Sequence, residues 1–364
     1  MPIKWKKVWV SDENYESAGV FDVNNDGVLD IVSGAFWYQG PDFRQKHFIG
    51  DVRPEREYFD DFSTIPMDVN GDGYLDFITG GWWGGTIRWR ENPKGEAKPW
   101  AEHIIAEVGN VETTRAFDID GCGKPEILPN TPNSKDVAYY KLENGAFRKI
   151  VVHTFTGDAK QGHGIGCGDI AGNGRMDIVL AHGWLEAPAN PESGEWKYHP
   201  DFKDAPWGWA ASDPMLVCDV NGDGKNEIIT GAGHNYGLWW SERKSGRACL
   251  SETAEWIHHP IDPFCSQYHD MHWVDIDGDG KPELVTGKRH RAHCGNDPGE
   301  WDDVGIYYFK WTGEGFAKQV IDYGPIGTCH GCGIHFALAD LRGTGRLDLV
   351  APSKGGLFIY YNEG

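Results

Sequence analysis

DVNGDGYLD, running from Asp68 to Asp76, is the stretch whose reading decides the fold. Asp or Asn at its first, third, fifth and ninth positions gathers oxygen atoms around one point. Gly73 at the sixth position permits the sharp turn that brings them together. Apolar segments flank it, with Ile65-Pro66-Met67 before and FITGGWW (77–83) after, so it reads as a tight hairpin between two short strands. The same turn recurs as DVNNDGVLD from Asp22, DIDGCGKPE from Asp118, DIAGNGRMD from Asp169, DVNGDGKNE from Asp219, DIDGDGKPE from Asp275 and DLRGTGRLD from Asp340. A repeat of about fifty residues is the signature of blades or solenoid units.

Each unit carries two further apolar segments. One bears an aromatic doublet, as in Trp37-Tyr38, Tyr139-Tyr140, Trp239-Trp240, Tyr307-Tyr308 and Tyr360-Tyr361. These doublets are expected in the core between blades. The other alternates, as in FRQKHFIGD (43–51) and WAEHIIAEV (100–108). Four strands per unit make a propeller blade. The C-terminus ends on a third segment, GGLFIYYNEG, and the N-terminus opens on a fourth, IKWKKVWVSD. The sequence therefore predicts an all-β, seven-bladed β-propeller over residues 1–364, a single domain whose last blade is closed by the N-terminal strand.

Composition narrows the function. The formal net charge of −21 argues against nucleic acid and against an anionic membrane surface, since both require a basic face. No run of eighteen apolar residues predicts a membrane helix. The eight cysteines are scattered, and MPIKWKKVWV lacks a signal-peptide core. A cytoplasmic location is the expectation, with a secreted or periplasmic one if a leader has been removed.

Four turns keep every oxygen ligand: Asp22, Asn24, Asp26 and Asp30; Asp68, Asn70, Asp72 and Asp76; Asp219, Asn221, Asp223 and Glu227; Asp275, Asp277, Asp279 and Glu283. These are candidate structural Ca²⁺ sites, although the first Asp could simply bind turn amides. The glutamate and helices of an EF-hand are absent. Turns 3, 4 and 7 carry Cys122, Ala171, and Arg342 with Thr344, which break the set.

Residues just before a first strand and just after a second share the ring face opposite the acidic turns, near the axis. That face collects His163, His182, His234, Tyr236, His269, His272, Arg289 and His335 as candidate catalytic groups. Trp83, Arg115, Trp184, Trp207, Trp209, Lys288, His290 and Lys354 are candidate substrate contacts there. A flat indole stacks on the C–H face of a sugar, and imidazole near neutral pH exchanges protons. The same histidines suit Zn²⁺ or another divalent metal.

The acidic turns resemble FG-GAP or VCBS repeats, whose hairpin loops often hold calcium. GHGIGCGDIAGNGRMDIVLAHGW (162–184), HDMHWVDIDGDGKPELVTGKRHRAHCGNDPGE (269–300) and DVNNDGVLDIVSGAFWYQGPDF (22–43) resemble the propeller domain of fungal aldos-2-ulose dehydratases. The chain is also similar in plan to seven-bladed polysaccharide lyases, in which two histidines flank an inner hairpin; His163 and His182 match that spacing. The resemblance implies β-elimination on a keto-sugar or a uronate-containing saccharide. His163 and His182 would then serve as base and acid or enolate stabiliser, and Lys288, Arg289 and His290 would hold the anionic or keto group. A propeller that binds glycans or proteins without chemistry, and a metal-dependent sugar isomerase or hydrolase, are the alternatives.

Overall fold

The computed structural model describes residues 2–244 and 255–364; Cys249 lies outside the described residues. Among the described residues the strands form seven four-stranded antiparallel sheets and a small ribbon, Pro54–Glu55 with Tyr58–Phe59, and there is no helix. It follows that no helix is long and apolar enough to cross a membrane. The first blade is Gly19–Phe21, Asp30–Ser33, Phe36–Gln39 and Gln45–Phe48, in that spatial order. The next five repeat the plan.

The seventh blade takes Ala337–Ala339, Asp348–Ser353 and Gly356–Asn362 from the C-terminus and its outer strand, Trp5–Ser11, from the N-terminus. Trp5 lies opposite Asn362 and Lys7 opposite Tyr360, in antiparallel register. The expected closure is therefore present. It covers an edge that would otherwise expose unpaired amides. Outside the ladder, Lys7 pairs with Asp322 of blade 6 at 2.7 Å, tying the closing strand to the neighbouring blade.

The aromatic doublets fill the spaces between blades. Neighbouring residues on a strand point to opposite faces of the sheet, so each doublet serves two interfaces. Trp37 packs with Phe77 and Trp100 of blade 2, whereas Tyr38 packs with Leu357 and Ile359 of blade 7. Tyr139 faces Ile165 and Leu185 of blade 4, and Tyr140 faces Ile78 and Ile87 of blade 2. Burial of each such ring contributes about 2–3 kcal/mol. The described cysteines are free thiols, Cys329 and Cys332 included, and these two are buried as small apolar groups.

The acidic turns show which of their residues build the hairpin. The first Asp accepts the amide of the sixth residue in all seven copies, as in Gly27 to Asp22 at 2.8 Å and Gly174 to Asp169 at 2.7 Å. The sixth glycines lie at φ between 77° and 88°, a region that side-chain-bearing residues avoid. The ninth carboxylate is buried and turned inward. It accepts the amide of the second residue in six copies, for example Val23 to Asp30 at 2.9 Å. Where it is Asp, its other oxygen takes an amide at the end of the third strand: Gly40, Asn92, Ala187 or Asn362.

The ninth residues Asp30, Asp76, Glu227 and Glu283, read from the sequence as cation ligands, therefore act as hairpin locks. Only the first, third and fifth side chains remain clustered on the open side. In turn 6, Asp275, Asp277 and Asp279 lie within reach of one ion, but the Lys310 ammonium already pairs with Asp277, with Asp279 at 2.9 Å and with Glu283 at 3.3 Å.

Asp177→Asn is expected to cost about 1–3 kcal/mol, because an amide NH₂ would face backbone donors from Ile170, Ala171 and Ala187. Blade 4 lacks the third ligand. The loss in a denaturant melt should therefore be the same in calcium and in chelator. A loss seen only in calcium would contradict the lock.

Candidate functional site

Short inner strands carry the site. Glu112 precedes Thr113–Phe117 of blade 3, and His163 precedes Ile165–Gly168 of blade 4. His234 follows Glu227–Gly231 of blade 5; His269 lies in Tyr268–Val274 and Arg289 follows Glu283–Lys288, both of blade 6. Four blades thus deliver one group each, or two, to the axis. His163 Nε2 lies 3.1 Å from His234 Nε2 and 3.4 Å from Glu112 Oε1. One nitrogen from each of His163, His234 and His269 and one oxygen of Glu112 fall within 4.8 Å of one another, and all four residues are buried. Arg289 Nη1 reaches His269 Nε2 at 3.1 Å and Glu112 at 3.4 Å.

The far sides of His163 and His234 are held, whereas Nδ1 of His269 is buried without a partner. His163 Nδ1 is 2.9 Å from the Ala211 carbonyl, and His234 Nδ1 is 2.6 Å from Asp297 Oδ2. Carbonyl and carboxylate oxygens only accept, so both Nδ1 atoms carry protons. In the neutral rings, two Nε2 lone pairs then face each other at 3.1 Å. A proton or a cation must lie between them.

Arg289 is itself clamped by Glu16 through Nε at 2.9 Å and Nη2 at 3.2 Å, and Lys354 reaches Glu16 at 2.9 Å. Burial disfavours charge throughout, yet several groups stay ionised. Burial alone would push the Glu112 carboxyl up, but His163 and Arg289 hold it well below the carboxylate range. For His163, burial pulls down while Glu112 and Asp213 pull harder and raise it. Burial brings His234 down to about 3 against the pull of Asp297. Burial, then the Arg289 charge, takes His269 well below its usual value. His234 and His269 are therefore neutral ligands-in-waiting, with lone pairs directed inward.

A cavity of about 160 Å³ opens onto Glu112 and Arg289, walled by Tyr58, Trp82, Trp83 and His293. Its volume is roughly that of five waters, the scale of one sugar ring. His293 stacks on His234 at 3.7 Å, and its Nδ1 is fixed by Asp297 Oδ1 at 2.8 Å, which leaves Nε2 free. Asp297 therefore braces two imidazoles at once. Burial opposes its charge, but the hydrogen bonds from both rings hold it well below the usual carboxylate range.

A model of the FG-GAP-like repeat matches residues 68–129 and 219–286, two stretches that begin on intact acidic turns and run through the following hairpin. Two stretches of the seven-bladed propeller therefore match the FG-GAP-like repeat. No curated protein matches the sequence. Solved structures share the fold at low identity. An Agrocybe aegerita lectin that recognises non-reducing terminal N-acetylglucosamine is 15% identical with a TM-score of 0.52, over 99% of this chain and 85% of that one. Rhamnogalacturonan lyase YesW is 12% identical with a TM-score of 0.51, over 98% of this chain and 72% of that one. A chain from the BBS1N–ARL6DN complex is 10% identical with a TM-score of 0.55, over 98% and 97%.

The propeller regroups the residues expected from sequence. His163, His234, His269 and Arg289 are brought together. His182 is not: it is exposed just past Asp177–Leu180, where Ala181 takes the inward position. Spacing along a hairpin does not reveal that alternation. Trp184 is buried in the core, stacked on His199 at 4.1 Å with its indole NH on Asp201. Trp207 is buried as well, donating to the Ala181 carbonyl. Trp209 is 60% exposed and lies parallel to His234 at 5.3 Å, so it does stand at the site, as does Trp83.

Arg115 spans the axis as a staple. Through Nη2 it donates to the Asp213 and Ile334 carbonyls and pairs with Asp270 at 3.0 Å, so that end of the guanidinium is committed to protein partners. His272 packs on Phe336, and His335, which burial and Arg115 bring down to about 3, sits on the Ala18 carbonyl beside that staple. His290 is buried, brought down to about 4 by burial and Lys354. Lys354 lies over the Tyr58 ring at 4.5 Å. Tyr236 binds Asp302, and Lys288 turns away from the axis to Ser266. Glu112, His293 and Asp297 were legible only as polar residues at blade ends.

Trp184→Ala is expected to cost about 3–5 kcal/mol in a denaturant melt, whereas Trp209→Ala should change stability by less than about 0.5 kcal/mol. The opposite order would contradict the burial assigned to these indoles.

Proposed function

We propose that the protein is a carbon–oxygen lyase, of dehydratase or polysaccharide-lyase type, performing β-elimination on a keto-sugar or uronate-bearing saccharide in the axial pocket. The observation that carries this reading is the convergence of Glu112, His163, His234 and His269 on the axis, where Glu112 and Arg289 also line a sugar-sized cavity. Elimination needs a base for the proton next to a carbonyl or carboxylate, and positive charge where the enolate forms. Arg289 supplies fixed charge. His293, free at Nε2 and braced by Asp297, faces the pocket and suits the base. Tyr58, whose hydroxyl donates to the Ala292 carbonyl at 2.7 Å, and the indoles of Trp82 and Trp83 provide the walls that hold a ring.

Three imidazoles and one carboxylate form a donor set for Zn²⁺ or a similar divalent ion, and the opposed Nε2 lone pairs of His163 and His234 fit one. Asp297 and the Ala211 carbonyl are the outer partners that such ligands use. A divalent ion there would supply Lewis-acid charge for the enolate oxygen. Arg289 Nη1 shares two of the four acceptors, and Glu16 already holds the rest of its guanidinium. Structural Ca²⁺ at the first, third and fifth positions of turns 1, 2 and 5 belongs to the same reading; in turn 6 Lys310 competes with it.

The fold is shared with a lectin and with a rhamnogalacturonan lyase, so saccharide binding without turnover is the competing reading. An ultraviolet scan for unsaturated product, with keto-sugars and uronate oligosaccharides as substrates, separates the two. Glu112→Gln and His163→Ala are expected to lower kcat/KM at least about a hundredfold, and His293→Ala about a hundred- to ten-thousandfold. His182→Ala should keep full activity. Full activity in His163→Ala, or product from no substrate class, would overturn the proposal.

A further inference from the structure

A second cavity lies on the same face of the ring, farther from the axis. It measures about 520 Å³ and sits where the outer strand of blade 5, Trp256–Ser266, meets blade 6. Lys288 and Arg289 are consecutive at the end of one inner strand, and their side chains leave it in opposite directions. Arg289 enters the axial pocket. Lys288, fully buried, enters the outer cavity, donating to Ser266 Oγ at 3.1 Å and to the Gly299 carbonyl.

The two cavities share one loop, residues 289–303. It presents His293 and Asp297 to the axial site, and Trp301, Asp302 and Asp303 to the outer one. Within the loop the Glu300 carboxylate accepts the His293 amide at 2.5 Å, and the Arg291 guanidinium lies over Trp301 at 4.5 Å.

The lining has a definite chemistry. Phe264 is 85% exposed, Trp301 67% and Tyr323 58%, unusual exposure for large rings around one cavity. Between them stand two cations, Lys288 and Lys318, and two anions, Asp302 and Asp303. Asp302 accepts the Tyr236 hydroxyl, which orients its carboxylate at the rim. Balanced charge gives no preference for a charged ligand. Flat apolar faces alternating with fixed donors and acceptors match a neutral polyol ring, apolar on its C–H face and hydroxylated at its edge.

We propose that this outer cavity is a second saccharide subsite, one that holds a neutral sugar unit of an oligosaccharide whose reacting unit occupies the axial pocket. The inference rests on the saccharide reading above and adds the substrate class: an oligomer with at least one uncharged residue. Trp301 and Tyr323 form the platform; Lys288, Asp302 and Asp303 read hydroxyls.

The test uses the full chain and a panel of neutral tetrasaccharides of glucose, galactose, mannose and N-acetylglucosamine, with tetragalacturonate as the acidic member. Binding is read by saturation-transfer NMR and tryptophan fluorescence. Wild type is expected to bind at least one neutral member, and Trp301→Ala and Tyr323→Ala to bind it about tenfold more weakly. Both side chains are exposed, so these variants should fold normally. His163→Ala should keep this binding. No neutral member bound, equal binding by the Trp301 and Tyr323 variants, or Trp301-dependent preference for tetragalacturonate would overturn the subsite. Binding that follows Trp301 in a protein with no turnover would keep the subsite and remove the lyase reading. Turnover without Trp301-dependent binding would do the reverse.

Discussion

A buried carboxylate at the ninth position of each acidic turn, taking backbone amides across the hairpin, is the constraint on which the molecule is built. The first Asp closes the turn on itself, and the ninth ties it to the strands it joins. Unpaired buried amides would each cost about 1–3 kcal/mol. Satisfying them from within the turn lets seven very short inner strands, some only three or four residues long, run side by side around an axis. With the hairpins fixed, the third-strand aromatics can fill the gaps between blades and the first strand of the chain can close the ring. The lock also explains why the first and ninth acids persist in turns 3, 4 and 7, where the third or fifth position has lost its oxygen. The hairpin lock uses the first and ninth residues, and the first, third and fifth side chains are left clustered on the open side of the turn.

Rigid inner hairpins make the opposite face a place where unfavourable groups can be held. Two lone pairs at 3.1 Å, a guanidinium against an imidazole nitrogen, and four ionised groups with little access to water would relax apart on a mobile loop. Here four blades supply the groups, and His163 is braced from behind by Ala211, His234 by Asp297 and Arg289 by Glu16. Charge placed in this way is preorganised, and preorganised charge stabilises a transient anion without further rearrangement.

Much of the fold was legible because its determinants are local. The nine-residue turn, the doublets and the unmatched terminal segments each state their own role, and all agree with the structure. The site was legible only in part. His163, His234, His269 and Arg289 announce themselves as unusual residues at blade ends. Which of them meet depends on the angle of each blade and on strand alternation, and neither is written in the spacing. His182 illustrates the failure: it matches a family spacing, yet alternation points it to solvent. Trp184 and Trp207 fail for the opposite reason, since an indole beside a loop can turn into the core as readily as toward a ligand. Glu112 and Asp297 were missed because acids at blade ends are common in a chain of charge −21.

The central claim is that the axial imidazoles and Glu112 act as one cation-holding centre. A crystal grown with Zn²⁺ and measured on both sides of the zinc absorption edge tests it most directly. An anomalous peak bounded by Nε2 of His163 and His234, His269 and the Glu112 carboxylate, with Arg289 Nη1 withdrawn toward Glu16, is the expected result. Zinc confined to the acidic turns, with Arg289 still on His269 and Glu112, would contradict the account.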